Sequence, residues 1–203
     1  MIALLDYGAG NVRSVHKALT AVGGNVRLVS APRAVLDSDA VVLPGVGAFD
    51  DCINSMRQKE LFDSTRNFIA TGKPFLGICV GFQALFEKSE EFNSSGTGLN
   101  VFDGSVVRFP DSATKVPQIG WNEVDILQPS CPIFRGIKSG SHFYFVHSYY
   151  PQPDDQSIVA TRTEYGVPFA SSVWNENIFA TQFHPEKSQK AGLKLLKNFV
   201  DLI

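Results

Sequence analysis

The sequence predicts an α/β domain: a mostly parallel central sheet, flanked by helices and extended by antiparallel strands in the C-terminal half. Three observations carry this. In the first half, a short apolar run, a glycine-bearing turn and a segment of helical spacing recur in that order, the pattern of parallel strands joined by crossover helices. Runs such as "AVVL" are apolar at every position, as strands covered on both faces are. After Glu91 the texture turns to aromatic and β-branched runs separated by turn residues, which favour hairpins.

In chain order, "IALLD" is the first strand and passes through "YGAGN" into a helix from Val12 to Val22. "VRLVS" is the second strand. "DAVVLPGVGAFD" holds a third that leads into a helix from Cys52 to Asn67, and "KPFLGI" a fourth that leads into a helix from Val80 to Lys88. "NSSGTGLNVFDGSVVRFP" reads as turn-rich, whereas "HFYFVHSYY", "SIVATRTEY", "PFASSVW" and "NIFATQF" read as antiparallel strands that extend the sheet. A closing helix from about Lys187 to Leu202 places Leu193, Leu196, Phe199 and Val200 on one face. With no linker, repeat or low-complexity tract, residues 1–203 are expected to form one domain.

A chain of 203 residues that is 44% hydrophobic fills such a core without metal or disulfide staples. Eighteen Lys plus Arg against twenty Asp plus Glu give a net charge of -2, and no basic cluster offers a footprint for nucleic acid or an anionic membrane. No basic segment precedes the first apolar run and no run could span a bilayer, so a cytoplasmic location is expected. Cys52, Cys79 and Cys131 form no C-x-x-C pair, which fits a reducing compartment and leaves no metal site in view. Nothing in the sequence suggests a cofactor.

Three strand-to-helix turns carry closely spaced glycines, and open α/β sheets bind ligands at such turns. Gly8-Ala9-Gly10-Asn11 starts like a dinucleotide fingerprint, but Arg13 stands where the third glycine belongs. A tight turn with Asn11 capping the helix is the simpler expectation. Pro44-Gly45-Val46-Gly47 follows "AVVL" directly, and its flexible backbone could bring the N–H groups of Val46 and Gly47 to an oxyanion. Gly77-Ile78-Cys79-Val80-Gly81 has the form of a nucleophile elbow with cysteine in place of serine. A helix N-terminus there favours a thiolate, and the Val80 N–H faces the developing oxyanion. Cys52, inside a helical stretch, reads instead as a small buried hydrophobe.

A cysteine nucleophile needs a histidine to carry its proton and a third group to orient the imidazole. His16 falls mid-helix beside Lys17, His142 at a strand start, and His147 within a strand as a satisfied side chain. His184 ends "NIFATQF" and precedes Pro185 and Glu186. In an extended chain residues two apart point the same way, so Glu186 is placed to orient His184.

With "PGVGAF", "GICVGFQ" and "FHPEKS" in this order, the chain resembles the class I (triad) glutamine amidotransferases over its whole length. "DYGAGNVRSV", "IGWNEV" and "YFVHSYY" bring it closest to the branch that forms the glutaminase subunit of imidazole glycerol phosphate synthase. Val80 and Phe82 stand where that branch usually has Leu and Met; both changes are apolar. The resemblance implies that Cys79 attacks the glutamine side-chain amide, that His184 shuttles the proton, and that Gln83 and Glu91 hold the amino acid portion. It further implies that His147, Ser148 and Tyr149 line the pocket. Read without it, Gln83 is a polar residue on the elbow helix and Glu91 a solvated charge. The resemblance also implies a heterodimer with a (β/α)₈-barrel cyclase subunit, which receives the ammonia through an enclosed passage in the course of L-histidine biosynthesis. Asn11, Phe49, Trp121, Tyr144 and Lys187 are the residues expected at that interface. The same residues would also serve another amidotransferase, a γ-glutamyl hydrolase, or an interaction module that has lost activity.

Overall fold

The computed structural model describes residues 1–8, 11–111 and 115–203, the side chain of Asn93 excepted. Its strands in chain order are β1 (Ile2–Leu5), β2 (Val26–Val29), β3 (Ala40–Leu43), β4 (Phe75–Ile78), β5 (Phe86–Ser89) and β6 (Phe102–Arg108). There follow β7 (Gln118–Ile126), β8 (Ser141–His147), β9 (Tyr149–Pro153), β10 (Val159–Glu164), β11 (Pro168–Asn175) and β12 (Ile178–Thr181). The helices are α1 (Val12–Ala21), α2 (Pro32–Leu36), α3 (Phe49–Gln58), α4 (Leu61–Ile69), α5 (Val80–Gln83) and α6 (Gln189–Val200).

Nine strands form one sheet in the order β2-β1-β3-β4-β12-β11-β10-β7-β8. From β2 to β12 every pairing is parallel, and from β12 outward every pairing is antiparallel. Each residue of β1, β3, β4 and β12 is buried, as expected of parallel strands with helices packed against them. The helices pack in two groups, α1 against α6 and α4 against both α2 and α3. Phenylalanines fill much of the core, Phe68, Phe75, Phe143 and Phe183 being fully buried; each contributes about 1.5–3 kcal/mol by leaving water.

The helices α1, α3, α4 and α6 and the strands β1 to β4 lie where the sequence places them, with five differences. "NIFATQF", expected as an antiparallel extension, holds β12, which lies inside the sheet and pairs in parallel with β4 and antiparallel with β11. The stretch from Cys52 to Asn67 is two helices, broken where Glu60 adopts φ 58°. Only one turn of the predicted helix from Val80 to Lys88 forms. The Ala84 and Leu85 carbonyls accept N–H groups of Leu99 and Val101 at 2.8 Å each, and Phe86–Ser89 pairs in parallel with β6, so pairing overrides helical spacing. The turn-rich stretch after Glu91 contains β6, which joins β5 and β9 in a separate three-stranded sheet. In α6 the inward face is Gly192, Leu195, Leu196 and Phe199, while Leu193 is 38% exposed. A Cβ on Gly192 would stand 1.9 Å from the Pro185 carbonyl oxygen, which fixes the face that the helix turns inward.

Candidate active site

The register Leu43↔Gly77 and Ile78↔Thr181 sets the carboxyl ends of β3, β4 and β12 side by side. The chain continues from these ends as Pro44–Gly47, as Cys79, and as Gln182–His184. Three segments distant in sequence therefore meet at one edge of the sheet. Cys79 donates its N–H to the Thr181 carbonyl at 2.7 Å, then turns into α5 with φ 55° and ψ -110°. For a residue with a Cβ this conformation costs on the order of 1–3 kcal/mol.

Close packing explains the glycines around the elbow. A Cβ on Gly81 would lie 2.0 Å from the Leu43 carbonyl oxygen, one on Gly77 2.7 Å from that of Gly81, and one on Gly45 2.6 Å from the Gly81 nitrogen. Gly47 differs, with φ +91° and open space around it.

The His184 backbone N–H donates to the Tyr144 carbonyl at 2.9 Å, which ties it to β8. Its Nδ1–H donates to Glu186 Oε1 at 2.9 Å, with both side chains almost wholly buried. This leaves Nε2 buried and without another partner. Burial alone would depress the imidazole pKa. The charge of Cys79 beside it and the hydrogen bond to Glu186 together outweigh burial and raise it to about 10. A charged Cys79 therefore favours the imidazolium over the neutral ring. Asn11 does not cap α1 with its side chain. Its Nδ2 reaches across to Glu186 Oε1 at 3.4 Å, a carboxylate acceptor; Ala9 and Gly10 of the same turn lie outside the described residues.

A cavity of about 300 Å³ opens over these groups, lined by Val46, Gly47, Cys79, Val80, Gln83, Glu91, Val146, His147, Ser148, Tyr149, His184 and Lys187. Every residue assigned from sequence to the oxyanion or the substrate lines it. Glu91 is not the solvated charge that its acidic neighbours suggest. Its Oε2 accepts the Phe49 N–H at the start of α3, at 2.7 Å, and burial pushes its pKa up. Gln83 donates from Nε2 to the Tyr149 carbonyl at 3.0 Å and to Gln182 Oε1 at 3.1 Å. His147 is a satisfied strand histidine, with Nδ1 2.8 Å from the Tyr149 carbonyl and Nε2 2.8 Å from the Gln118 side chain. Burial lowers its pKa to about 3 and keeps it neutral. A larger, more open groove of about 700 Å³, among whose lining residues are Glu87, Asp103 and Asp154, has no cysteine or histidine on its walls.

Burial raises the thiols of Cys52 and Cys131 to about 12 each, so neither supplies a thiolate at neutral pH. His142 stands exposed at the start of β8, 3.7 Å from Glu123, and His16 is half-buried on α1. Neither lines the cavity. Beside it, Lys187 lies 5.7 Å from the centre of the Tyr144 ring, and Trp121 meets Tyr144 edge-to-face at 6.1 Å. Trp121 and Ile119 are 47% and 64% exposed, so this face is apolar and open. Phe49, expected on the same surface, is fully buried; its ring turns into the core because its backbone starts α3 under Glu91.

Gln182, which sequence reasoning left within an ordinary strand, belongs to the site. It is fully buried and its Nε2 donates to Cys79 Sγ at 3.6 Å. The signal was present: Gln182 stands two residues before His184, so an extended chain turns both the same way. Among the described residues no cluster of His, Cys, Asp and Glu could hold a metal ion, and no helix is long and apolar enough to cross a membrane.

A cysteine on a strand-to-helix turn, with a buried His–Glu pair carried by the neighbouring parallel strand, defines a cysteine acyl-transfer site on an α/β sheet. The model of glutamine amidotransferase class-I matches residues 3–202, and the chain belongs to that family. The imidazole glycerol phosphate synthase subunit HisH of Syntrophotalea carbinolica is 49% identical over the full length of both chains. The protein of the same name from Geobacter sulfurreducens is 46% identical over 99% of this chain and 98% of its own. Among solved structures, PurLQS from Thermotoga maritima superposes with a TM-score of 0.75. The match covers 98% of this chain and 97% of that one at 17% identity, a likeness that bears on the fold. The chain is accordingly an amidotransferase enzyme.

Proposed function

We propose that this chain is the glutaminase subunit of imidazole glycerol phosphate synthase and that residues 1–203 form its one catalytic domain. The observation that carries the chemistry is the meeting of Cys79, His184 and Glu186 over a cavity large enough for an amino acid. The Cys79 thiolate attacks the side-chain amide carbon of glutamine. The oxyanion is received by the Val80 N–H and by an N–H of the Val46–Gly47 segment. His184, protonated at rest, gives its Nε2 proton to the departing nitrogen, and ammonia leaves a γ-glutamyl thioester. Water then loses a proton to His184 and adds to the thioester, and glutamate departs as the thiolate reforms. Glu186 holds the imidazole tautomer and stabilises its charge throughout. Gln83, Glu91 and the segment His147, Ser148 and Tyr149 surround the amino acid portion.

The name of the relatives calls for a second subunit in the synthase. We assign that partner as a (β/α)₈-barrel cyclase that uses the ammonia to make imidazole glycerol phosphate and an aminoimidazole carboxamide ribonucleotide. Trp121, Tyr144 and Lys187, with Asn11 at the edge, form the face it covers, because aromatic and cationic anchors beside the cavity suit a docking surface. Both subunits work in the cytoplasm. The contrast between locked Gly45 and open Gly47 supports gating: the Val46–Gly47 peptide rotates into the oxyanion position when the loaded partner docks.

Labelling tests the chemistry. An electrophilic glutamine analogue is expected to modify Cys79 alone, in competition with glutamine, as read by peptide mass mapping. Label on Cys52 or Cys131, or none that glutamine protects, contradicts the assignment.

A further inference from the structure

We propose that Gln182 is a fourth catalytic group, whose side-chain N–H donates to the Cys79 sulfur and holds it charged and aimed before glutamine arrives. The proposal rests on the glutaminase reading above.

The hydrogen-bond directions are forced. The Tyr149 carbonyl can only accept, so Gln83 must turn its amide nitrogen toward it, at 3.0 Å. The same nitrogen gives its second hydrogen to Gln182 Oε1 at 3.1 Å. With its oxygen committed, Gln182 has only its nitrogen to offer Cys79 Sγ, at 3.6 Å. Gln83 and Gln182 are 3% and 0% exposed, so no solvent competes along this chain. The need for a donor is equally physical. α5 is a single turn, too short for much of the dipole that stabilises a thiolate at the head of a long helix. A donor at Sγ favours the charged thiolate over the neutral thioester, so its effect falls on nucleophile formation and not on substrate binding.

The test is the pH dependence of Cys79 alkylation by iodoacetamide in the full chain, with and without the cyclase subunit, for wild type, Gln182→Met and Gln182→Glu. A hydrogen bond to a charged group is worth about 1.5 kcal/mol, about tenfold in thiolate population. We expect the pH midpoint of alkylation to rise by about one unit in Gln182→Met, with the wild-type rate regained at alkaline pH. Gln182→Glu keeps the acceptor for Gln83, so it preserves the fold if the Met variant does not; it replaces the donor by a carboxylate and raises the midpoint at least as much. Glutamine kcat/KM falls with the alkylation rate at pH 7. A wild-type alkylation profile in both variants, or a uniform slowing at every pH, overturns the proposal. The alkylation readout needs no glutamine turnover. Failure of the glutaminase reading shows separately, as a wild-type complex that releases no glutamate from glutamine.

Discussion

The backbone nitrogen of Gly81 lies so near Gly45 that a Cβ on Gly45 would stand 2.6 Å from it, packing the oxyanion loop directly on the nucleophile elbow. Around Gly47, two residues on, the space is empty. Gly45→Ala and Gly81→Ala are each expected to cost about 3 kcal/mol by overpacking. Gly47→Ala costs about 1–2 kcal/mol, through its backbone angle alone. Urea denaturation of the three variants checks this; equal losses would remove the distinction between a locked and a movable end of the loop.

Cys79 holds φ 55° and ψ -110°, angles that glycine adopts without a Cβ clash. Cys79→Gly is therefore expected to be more stable than Cys79→Ala by about 1 kcal/mol, although neither hydrolyses glutamine. Chemical denaturation of the pair measures the strain that the elbow stores; identical stabilities would show that it stores none.

Two buried histidines oppose each other in pH. His147 falls from 6.5 to about 3 through burial, so its contribution to stability is complete above 6.5 and is lost as pH falls toward 3. His184 rises from 6.5 to about 10: burial lowers it, but the Cys79 charge and the hydrogen bond to Glu186 more than compensate. Its contribution is complete below 6.5 and is lost as pH rises toward 10. Unfolding free energy is expected to peak near pH 6.5. Cys79→Ala flattens the alkaline limb and His147→Gln the acid limb. A wild-type alkaline limb in Cys79→Ala would break the link between His184 and the thiolate.

Glu91 joins substrate pocket and scaffold, since the oxygen that accepts the Phe49 N–H belongs to a side chain lining the cavity. Glu91→Ala is expected to lose about 1 kcal/mol of stability, as a lost helix cap does, and to raise KM for glutamine more than it lowers kcat. Steady-state kinetics beside denaturation separates the two effects; an unchanged KM would leave Glu91 as a cap only.

Much of this architecture is written in local patterns. The parallel strands β1, β3 and β4 are apolar at every position, and Gly77-Ile78-Cys79-Val80-Gly81 carries its own turn. The pairing of His184 with Glu186 is legible from their spacing, although a 3₁₀ turn over Pro185–Lys187, not an extended chain, brings the carboxylate back to the imidazole. What local pattern could not supply is pairing between distant segments. Phe86–Ser89 has helical spacing but pairs with β6, and the inward face of α6 is set by Gly192 against Pro185. Asn11 is drawn from its cap position by Glu186, 175 residues away. Phe49 looked like a surface anchor because its contacts with Glu91 and the core are long-range. The spacing of Gln182 from His184 hints at its face, but its partners, Cys79 and Gln83, lie across the sheet.

The most direct test of the account is glutamate release from glutamine by this chain alone and with the cyclase subunit carrying its ribonucleotide, each repeated with Cys79→Ala. The predicted result is slow release by the chain alone, strong activation by the loaded partner, and loss of both in the variant. Undiminished turnover by the Cys79→Ala complex would contradict the account.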